Sequence, residues 1–184
     1  MQRISVLGGP GSGKTTLARA LGQRLGLPVV HLDMLFWRPG WVESDRDELA
    51  ARVAAITARK AWVIEGNYAS TWPSRLAHGD SFILLDMPTP LRLWRVVRRS
   101  LRHWGQTRPD LPEGCPEQLD LAFLRFSLRY RGEPRGRALA LLAQAAETHD
   151  CHRLRSVAEV RRFLAALPGE PGLSGPPVRS SVAP

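Results

Sequence analysis

The sequence predicts an α/β fold of the P-loop NTPase class, an open and mostly parallel five-stranded sheet with helices on both faces. Three observations carry this. The segment Gly8 to Thr15 satisfies G-x-x-x-x-G-K-[ST] and lies between an apolar run and a helical period. Four further short apolar runs alternate with helical patterns, the order that builds parallel sheets covered on both sides. The length of 184 residues fits one such core and leaves no room for a second catalytic domain.

Arg3 to Leu7 is the first strand. The glycine-rich turn after it opens a helix from about Lys14 to Leu25, with Leu17, Leu21 and Leu25 on one face, and Gly26 closes that helix. Pro28 to Leu32 is the second strand, followed by the aromatic stretch Leu35 to Trp41. Ser44 stands as the N-cap of a helix carrying Asp45, Asp47 and Glu48 in its first turn and running to about Lys60. Ala61 to Glu65 and Ser81 to Asp86 are the third and fourth strands, with a helix between them. Pro88 to about His103 is helical, with Leu91, Leu93, Trp94 and Val97 toward the core. Gln106 to Pro116, polar and rich in proline, is a loop, and residues from about 104 to 117 form a candidate lid. Helices are predicted from Glu117 to about Tyr130 and from about Arg135 to Glu147. Cys151 to Leu154 is the fifth strand and Ser156 to Leu167 the last helix. The domain spans 1–167, and 168–184, dominated by Pro, Gly and Ser, is expected to be a disordered tail.

The formal net charge of +9 would suit a polyanion partner, but its distribution weakens that reading. Lysine occurs only at Lys14 and Lys60, the arginines are spread along the chain, and a phosphate site itself calls for arginine. Nucleic-acid binding is therefore disfavoured. Cys115 and Cys151 lack CxxC spacing and fit reduced thiols. The N-terminus runs straight into a strand and no apolar run reaches membrane-helix length, so a soluble, cytoplasmic protein without membrane partners is expected. The oligomeric state is not legible.

The phosphate loop is the most specific signal. Gly8, Gly9, Pro10, Gly11, Ser12, Gly13, Lys14, Thr15 and Thr16 form a Walker A segment whose glycines let backbone N–H groups turn inward around a β-phosphate, at the N-terminus of a helix. Lys14 supplies charge to the β and γ phosphates, and Thr15 a hydroxyl for Mg²⁺. A GTPase would need N-K-x-D after a strand, which does not occur. A motor ATPase would carry an acidic pair after its Walker B strand, whereas Asp86 is followed by Met87 and Glu65 by Gly66. Asp33, Glu65 and Asp86 stand at three strand ends, where open α/β sheets bind ligands. Function is favoured over capping for Asp33 and Glu65, and the two readings are level for Asp86.

The segments Gly8 to Thr16, His31 to Trp41 and Trp62 to Tyr68, with Arg75, Leu85 to Pro88, Thr107 to Asp110 and Gly114 to Glu117, resemble the small adenylate-kinase-like P-loop proteins labelled DNA topology modulation proteins. The resemblance covers about residues 1 to 167. Glu65 departs from it, standing where that family's Asp-Gly-Asn-Tyr pattern has aspartate. The resemblance implies a phosphoryl-transfer site and, more widely, likeness to nucleoside and nucleoside-monophosphate kinases. It places Arg95 and Arg99, four apart on one helix, near the nucleotide, although a solvated basic face accounts for them equally. It sets Asp33 against an acceptor hydroxyl, and Phe36, Trp37, Trp41, Asn67, Tyr68 and Arg75 around the acceptor. Trp37 and Trp41 also fit a loop stapled to the core. Thr15 and Glu65 are the metal candidates, Lys14, Asp33 and the lid residue Arg108 the catalytic ones. His31 fits a core position. The resulting expectation is an ATP- and Mg²⁺-dependent phosphotransferase acting on a small acceptor such as a nucleoside or nucleotide. Its rival is an ATP-binding regulatory or nucleic-acid-associated protein related to DNA topology modulation.

Overall fold

The computed structural model of the chain describes residues 1–168, so the expected tail lies outside the described residues from residue 169 onward. In chain order the elements are β1 (Arg3–Gly8), α1 (Lys14–Leu25), β2 (Val29–His31), α2 (Leu32–Phe36), β3 (Trp37–Arg38), β4 (Val42–Glu43), α3 (Arg46–Thr57) and β5 (Trp62–Glu65). A 3-10 turn at Ala69–Thr71 then leads into α4 (Trp72–His78), β6 (Ser81–Leu85), α5 (Thr89–Arg102), α6 (Leu121–Arg129), α7 (Glu133–Ala145), β7 (Asp150–Leu154) and α8 (Val157–Ala166).

Five strands form one parallel sheet in the order β2-β5-β1-β6-β7, with β1 at its centre. Alternation along the strands sends side chains to opposite faces. Ile4, Val6, Ile83 and Leu85 pack with Leu17 and Leu21 of α1 on one face, and Leu7, Phe82 and Leu84 meet Ala138 and Leu141 of α7 on the other. A third cluster joins Leu32 and Phe36 of α2 to Leu49 and Val53 of α3 and to Trp62 and Ile64. The register brings Val6, His31 and Glu65 level and sets Gly8 against Leu85, so the carboxyl ends of four strands meet where β1 releases the phosphate loop.

The structure departs from the sequence expectations at three places and decides between the two level readings of Asp86. The cap of α3 is Asp45, whose carboxylate accepts from the Asp47 and Glu48 N–H groups; Ser44, the expected cap, is buried with its hydroxyl toward the Leu35 carbonyl. Residues 117–120 are not helical, because Asp120 caps α6 and Glu117 pairs through its backbone with residues 104–106. The aromatic stretch contains α2 and an antiparallel hairpin, β3 with β4, neither of which was foreseen. Asp86 is a structural residue: Arg135 binds it through two hydrogen bonds of 2.7 and 2.9 Å, and Arg153 adds further bonds, so these arginines hold its pKa below the ordinary carboxylate range against the cost of burial. It clasps β6 to the start of α7 and to β7.

Candidate active site

The phosphate loop spans Gly8 to Gly13, with α1 opening at Lys14. Gly11 has φ 73°, and a Cβ there would come within 2.2 Å of the Arg92 carbonyl oxygen, so only glycine lets α5 approach the loop this closely. The loop's outward carbonyls are taken by α5. Arg92 donates to Pro10 O at 3.3 Å, and Arg95 donates to Ser12 O at 3.2 Å and Gly11 O at 3.5 Å. In each planar peptide the N–H opposes the C=O, so the Gly11 and Gly13 amides turn the other way, into the loop's concave side. Lys14 crosses that side with its ammonium 3.3 Å from Gly9 O.

Arg92 is nearly fully buried, donates also to Ser127 O at 3.2 Å, and lies 4.9 Å from the Tyr130 ring centroid. It ties loop, α5 and α6 together, a role the sequence did not reveal among so many arginines. Arg95, expected at the nucleotide, spends its guanidinium on the loop carbonyls. Thr16 is exposed on the first turn of α1.

Beside the loop, Glu65 is 3% exposed, and its Oε1 accepts from Thr15 Oγ1 at 3.0 Å and lies 2.9 Å from His31 Nδ1. Burial works to raise the Glu65 pKa, but the His31 contact, the Lys14 charge and the Thr15 hydrogen bond outweigh it, and the group stays below its ordinary value. His31, read from sequence as a core residue, is thus the group that orients Glu65. The clue was its place at the end of a strand adjacent to the one ending in Glu65. The donor set suits Mg²⁺: a hydroxyl and a carboxylate oxygen 3.0 Å apart match one edge of an octahedron with metal–oxygen distances of roughly 2.0–2.1 Å. Among the described residues no group of three or more His, Cys, Asp or Glu is placed to hold a metal ion.

Asp33 lies on α2, two residues past the end of β2. Tyr68 Oη donates to its Oδ1 at 2.5 Å, and the Tyr68 ring packs 4.8 Å from that of Phe36. Burial raises the Asp33 pKa, the Tyr68 hydrogen bond opposes it, the Glu65 charge adds to it, and Lys14 and Arg108 lower it; the net direction is upward. The charges of Lys14, Glu65 and Arg108 and the Tyr68 hydroxyl thus all bear on Asp33. Burial and the adjoining Asp33 also push the Tyr68 phenol upward, keeping it a proton donor in that bond.

Three residues expected around an acceptor sit elsewhere. Phe36 is 6% exposed within the α2–α3 core and supports Tyr68 from behind. Arg75 has no exposed surface; it donates to Gly66 O at 2.8 Å and to Ser5 Oγ at 3.2 Å, a buried positive charge behind Glu65. Asn67 accepts from the Gly8 N–H at 3.0 Å and so pins the start of the phosphate loop. Trp37 packs edge-on against both Phe36 and Trp41.

The segment between α5 and α6 is joined to the β3–β4 hairpin. Trp41, itself at φ 61°, donates from its indole to Pro116 O at 3.0 Å, the Gly40 N–H donates to Gly114 O at 2.8 Å, and the buried Cys115 thiol lies 3.2 Å from Arg38 O. Trp41 thus fastens the hairpin to the 104–117 segment. Arg99 and Arg108 lie at the neck of that segment in contact with Glu117. Among the described residues no helix is long and apolar enough to cross a membrane.

One prediction arises from the Asp33–Tyr68 pair. Tyr68→Phe removes the donor that favours the Asp33 carboxylate, so the acid limb of the pH–rate profile should move to higher pH with the alkaline limb unchanged. A profile that does not move would separate Tyr68 from Asp33's chemistry.

The chain shares features with known proteins. The family described as "ATPase family associated with various cellular activities (AAA)" matches residues 4–64, the part from β1 almost to the end of β5 that holds the phosphate loop. A protein named "Putative adenylate kinase" from Thermococcus onnurineus (strain NA1) is 30% identical over 124 residues, 63% of this chain and 63% of that protein. Among solved structures, shikimate kinase from Acinetobacter baumannii in complex with shikimate superposes with a TM-score of 0.54 at 22% identity, covering 90% of each chain. A gluconokinase from Sinorhizobium meliloti 1021 does so with a TM-score of 0.50 at 18% identity, covering 89% of this chain and 91% of that one. Sheet order, phosphate loop and these superpositions agree: the chain has the P-loop NTPase fold.

Proposed function

We propose that this protein is an ATP-dependent P-loop kinase that transfers the γ-phosphoryl group to a hydroxyl of a small molecule. The observation that carries this is the convergence of a phosphate loop, its Lys14 and a carboxylate of raised pKa, Asp33, in one site. A hydrolase needs only to place water. A carboxylate held by its own donor, Tyr68, at the site's edge suits a positioned acceptor hydroxyl.

In the proposed reaction the acceptor oxygen forms a bond to the γ-phosphorus while the bond from that phosphorus to the β–γ bridging oxygen breaks. The hydroxyl proton passes to Asp33, and the electron pair of the broken bond stays on the ADP leaving group. Lys14 and the loop amides offset the charge on the phosphate oxygens. Thr15 and Glu65 would hold Mg²⁺, which when bound neutralises phosphate charge. Trp37 and Trp41, packed together beside the 104–117 segment, would line the acceptor's approach, and that segment would serve as a lid whose Arg108 meets the transferring group. The proteins named above as shikimate kinase and gluconokinase point to a small hydroxylated acceptor, and the adenylate kinase name to a nucleotide.

The test is a thermal-shift screen with an ATP analogue and Mg²⁺ present, over nucleosides, nucleotides and hydroxylated acids, followed by ADP release with each hit. A hit that accelerates ADP release supports the proposal. ATP hydrolysis indifferent to every acceptor would favour a regulatory ATPase.

A further inference from the structure

We propose that Glu117, assisted by Asp110, is a positioning residue that fixes the Arg108 guanidinium so that its Nη2 edge is left for a phosphate oxygen. This rests on the phosphoryl-transfer function proposed above, and it gives a role to Asp110 and Glu117, which the sequence marked only as members of resembling segments.

Arg108 sits on a loop that would ordinarily let a long side chain wander. Here its side chain is 11% exposed and bracketed by two buried carboxylates. Nη1 donates to Asp110 Oδ2 at 2.7 Å. Nε lies 2.6 Å from Glu117 Oε2, too far out of line for a hydrogen bond, so this contact is an ion pair. Nη2 makes no hydrogen bond to the described residues. A guanidinium carries its donors in a rigid planar fork, so holding two nitrogens sets the direction of the third.

Glu117 is itself held before Arg108 arrives. Its Oε1 accepts from Ser100 Oγ at 2.8 Å and from Arg99 Nη2 at 3.2 Å, both on α5. Its backbone N–H donates to Gln106 O, and its carbonyl accepts from the Gly105 N–H, each at 2.9 Å. Asp110 reaches in turn toward Arg19 of α1 at 3.9 Å. The carboxylates thus tie the lid arginine to the helix flanking the phosphate loop and to the helix that begins in it. Glu117 and Asp110 offset two of the three charges of Arg19, Arg99 and Arg108, so the use of the cluster in catalysis is directional more than a matter of added charge. Binding a phosphate to an arginine already held forfeits less side-chain freedom than capturing a mobile one.

The test uses the full chain with ATP and Mg²⁺, reading ADP release, with the thermal shift given by a non-hydrolysable ATP analogue as the measure of binding. Glu117→Gln keeps the side chain's size and removes its charge. ADP release is expected to fall roughly 10-fold while the analogue's shift is unchanged, the pattern of an interaction realised in the transition state. In an Arg108→Ala background the same substitution should cost nothing further. A folded Glu117→Gln protein with the wild-type rate, or an equal loss in both backgrounds, overturns the proposal. Should Glu117→Gln not fold, Asp110→Asn carries the same cycle. A second readout is independent of turnover: the Arg108 Nε–H signal in a ¹⁵N spectrum should exchange slowly in the wild type and be averaged by solvent in the variant. An unchanged signal also overturns the positioning role. Absence of Lys14-dependent ADP release from the wild type would instead refute the phosphoryl-transfer function, with the spectral test still deciding on Glu117.

Discussion

Replacing Lys14 by alanine is expected to lower ATP turnover by roughly 10²-fold or more, with the melting temperature little changed. The lysine begins α1, and among the described residues its ammonium hydrogen-bonds only the Gly9 carbonyl, at 3.3 Å, which a phosphate oxygen outcompetes as a partner for an ammonium group. Removing it takes away a charge aimed at the β and γ phosphates and leaves no cavity in the sheet, whose core is built from Ile4, Val6, Leu17 and Leu21 on that side. ADP release measured beside a thermal melt checks both halves. Wild-type turnover by a folded Lys14→Ala protein would remove the phosphate loop from the chemistry.

The second large effect belongs to Asp33. An asparagine there has nearly the same shape and can still accept the Tyr68 hydrogen bond, but it cannot take a proton from an acceptor hydroxyl. Transfer should fall by roughly 10²-fold or more, with ATP affinity within a few-fold of wild type. Because burial and the Glu65 charge raise the Asp33 pKa, the wild-type rate should also decline on the acid side as that carboxylate protonates, and the Asp33→Asn variant should lose this limb. If Asp33 served a metal instead, the defect would appear as weakened Mg²⁺-dependent ATP binding that excess Mg²⁺ partly restores. Undiminished transfer would leave Asp33 as a loop contact of Tyr68.

Much of the fold could be read directly, for identifiable reasons. Gly26 was recognisable as a helix stop and adopts the left-handed conformation such stops need, at φ 66°. The strands showed as apolar runs because a parallel sheet is buried on both faces, and Val63, Ile64, Ile83 and Leu84 all lie inside. Where two residues compete for one local task, the pattern was not decisive. Ser44 and Asp45 are both good caps, and packing settled the matter by burying Ser44 beside the Leu35 carbonyl. The short hairpin after α2 escaped notice because two-residue strands carry no period.

What the sequence determined by itself is chemistry that is contiguous along the chain: the phosphate loop from Gly8 to Thr15, Lys14 within it, and acidic residues at or just past the carboxyl ends of strands. A loop that must wrap a phosphate has to be built from neighbouring residues, so its requirements are written in order. The tertiary structure alone decided which side chains reach that loop from elsewhere. It gave Asp86 to Arg135 and Arg153, drew Arg75 beneath Glu65, set His31 against Glu65 through the β2–β5 register, and turned Arg92 and Arg95 onto the loop carbonyls. Those assignments depend on distances between residues far apart in sequence. Among arginines so numerous along one chain, no local pattern distinguishes the one that holds a loop carbonyl from the one that holds a buried carboxylate.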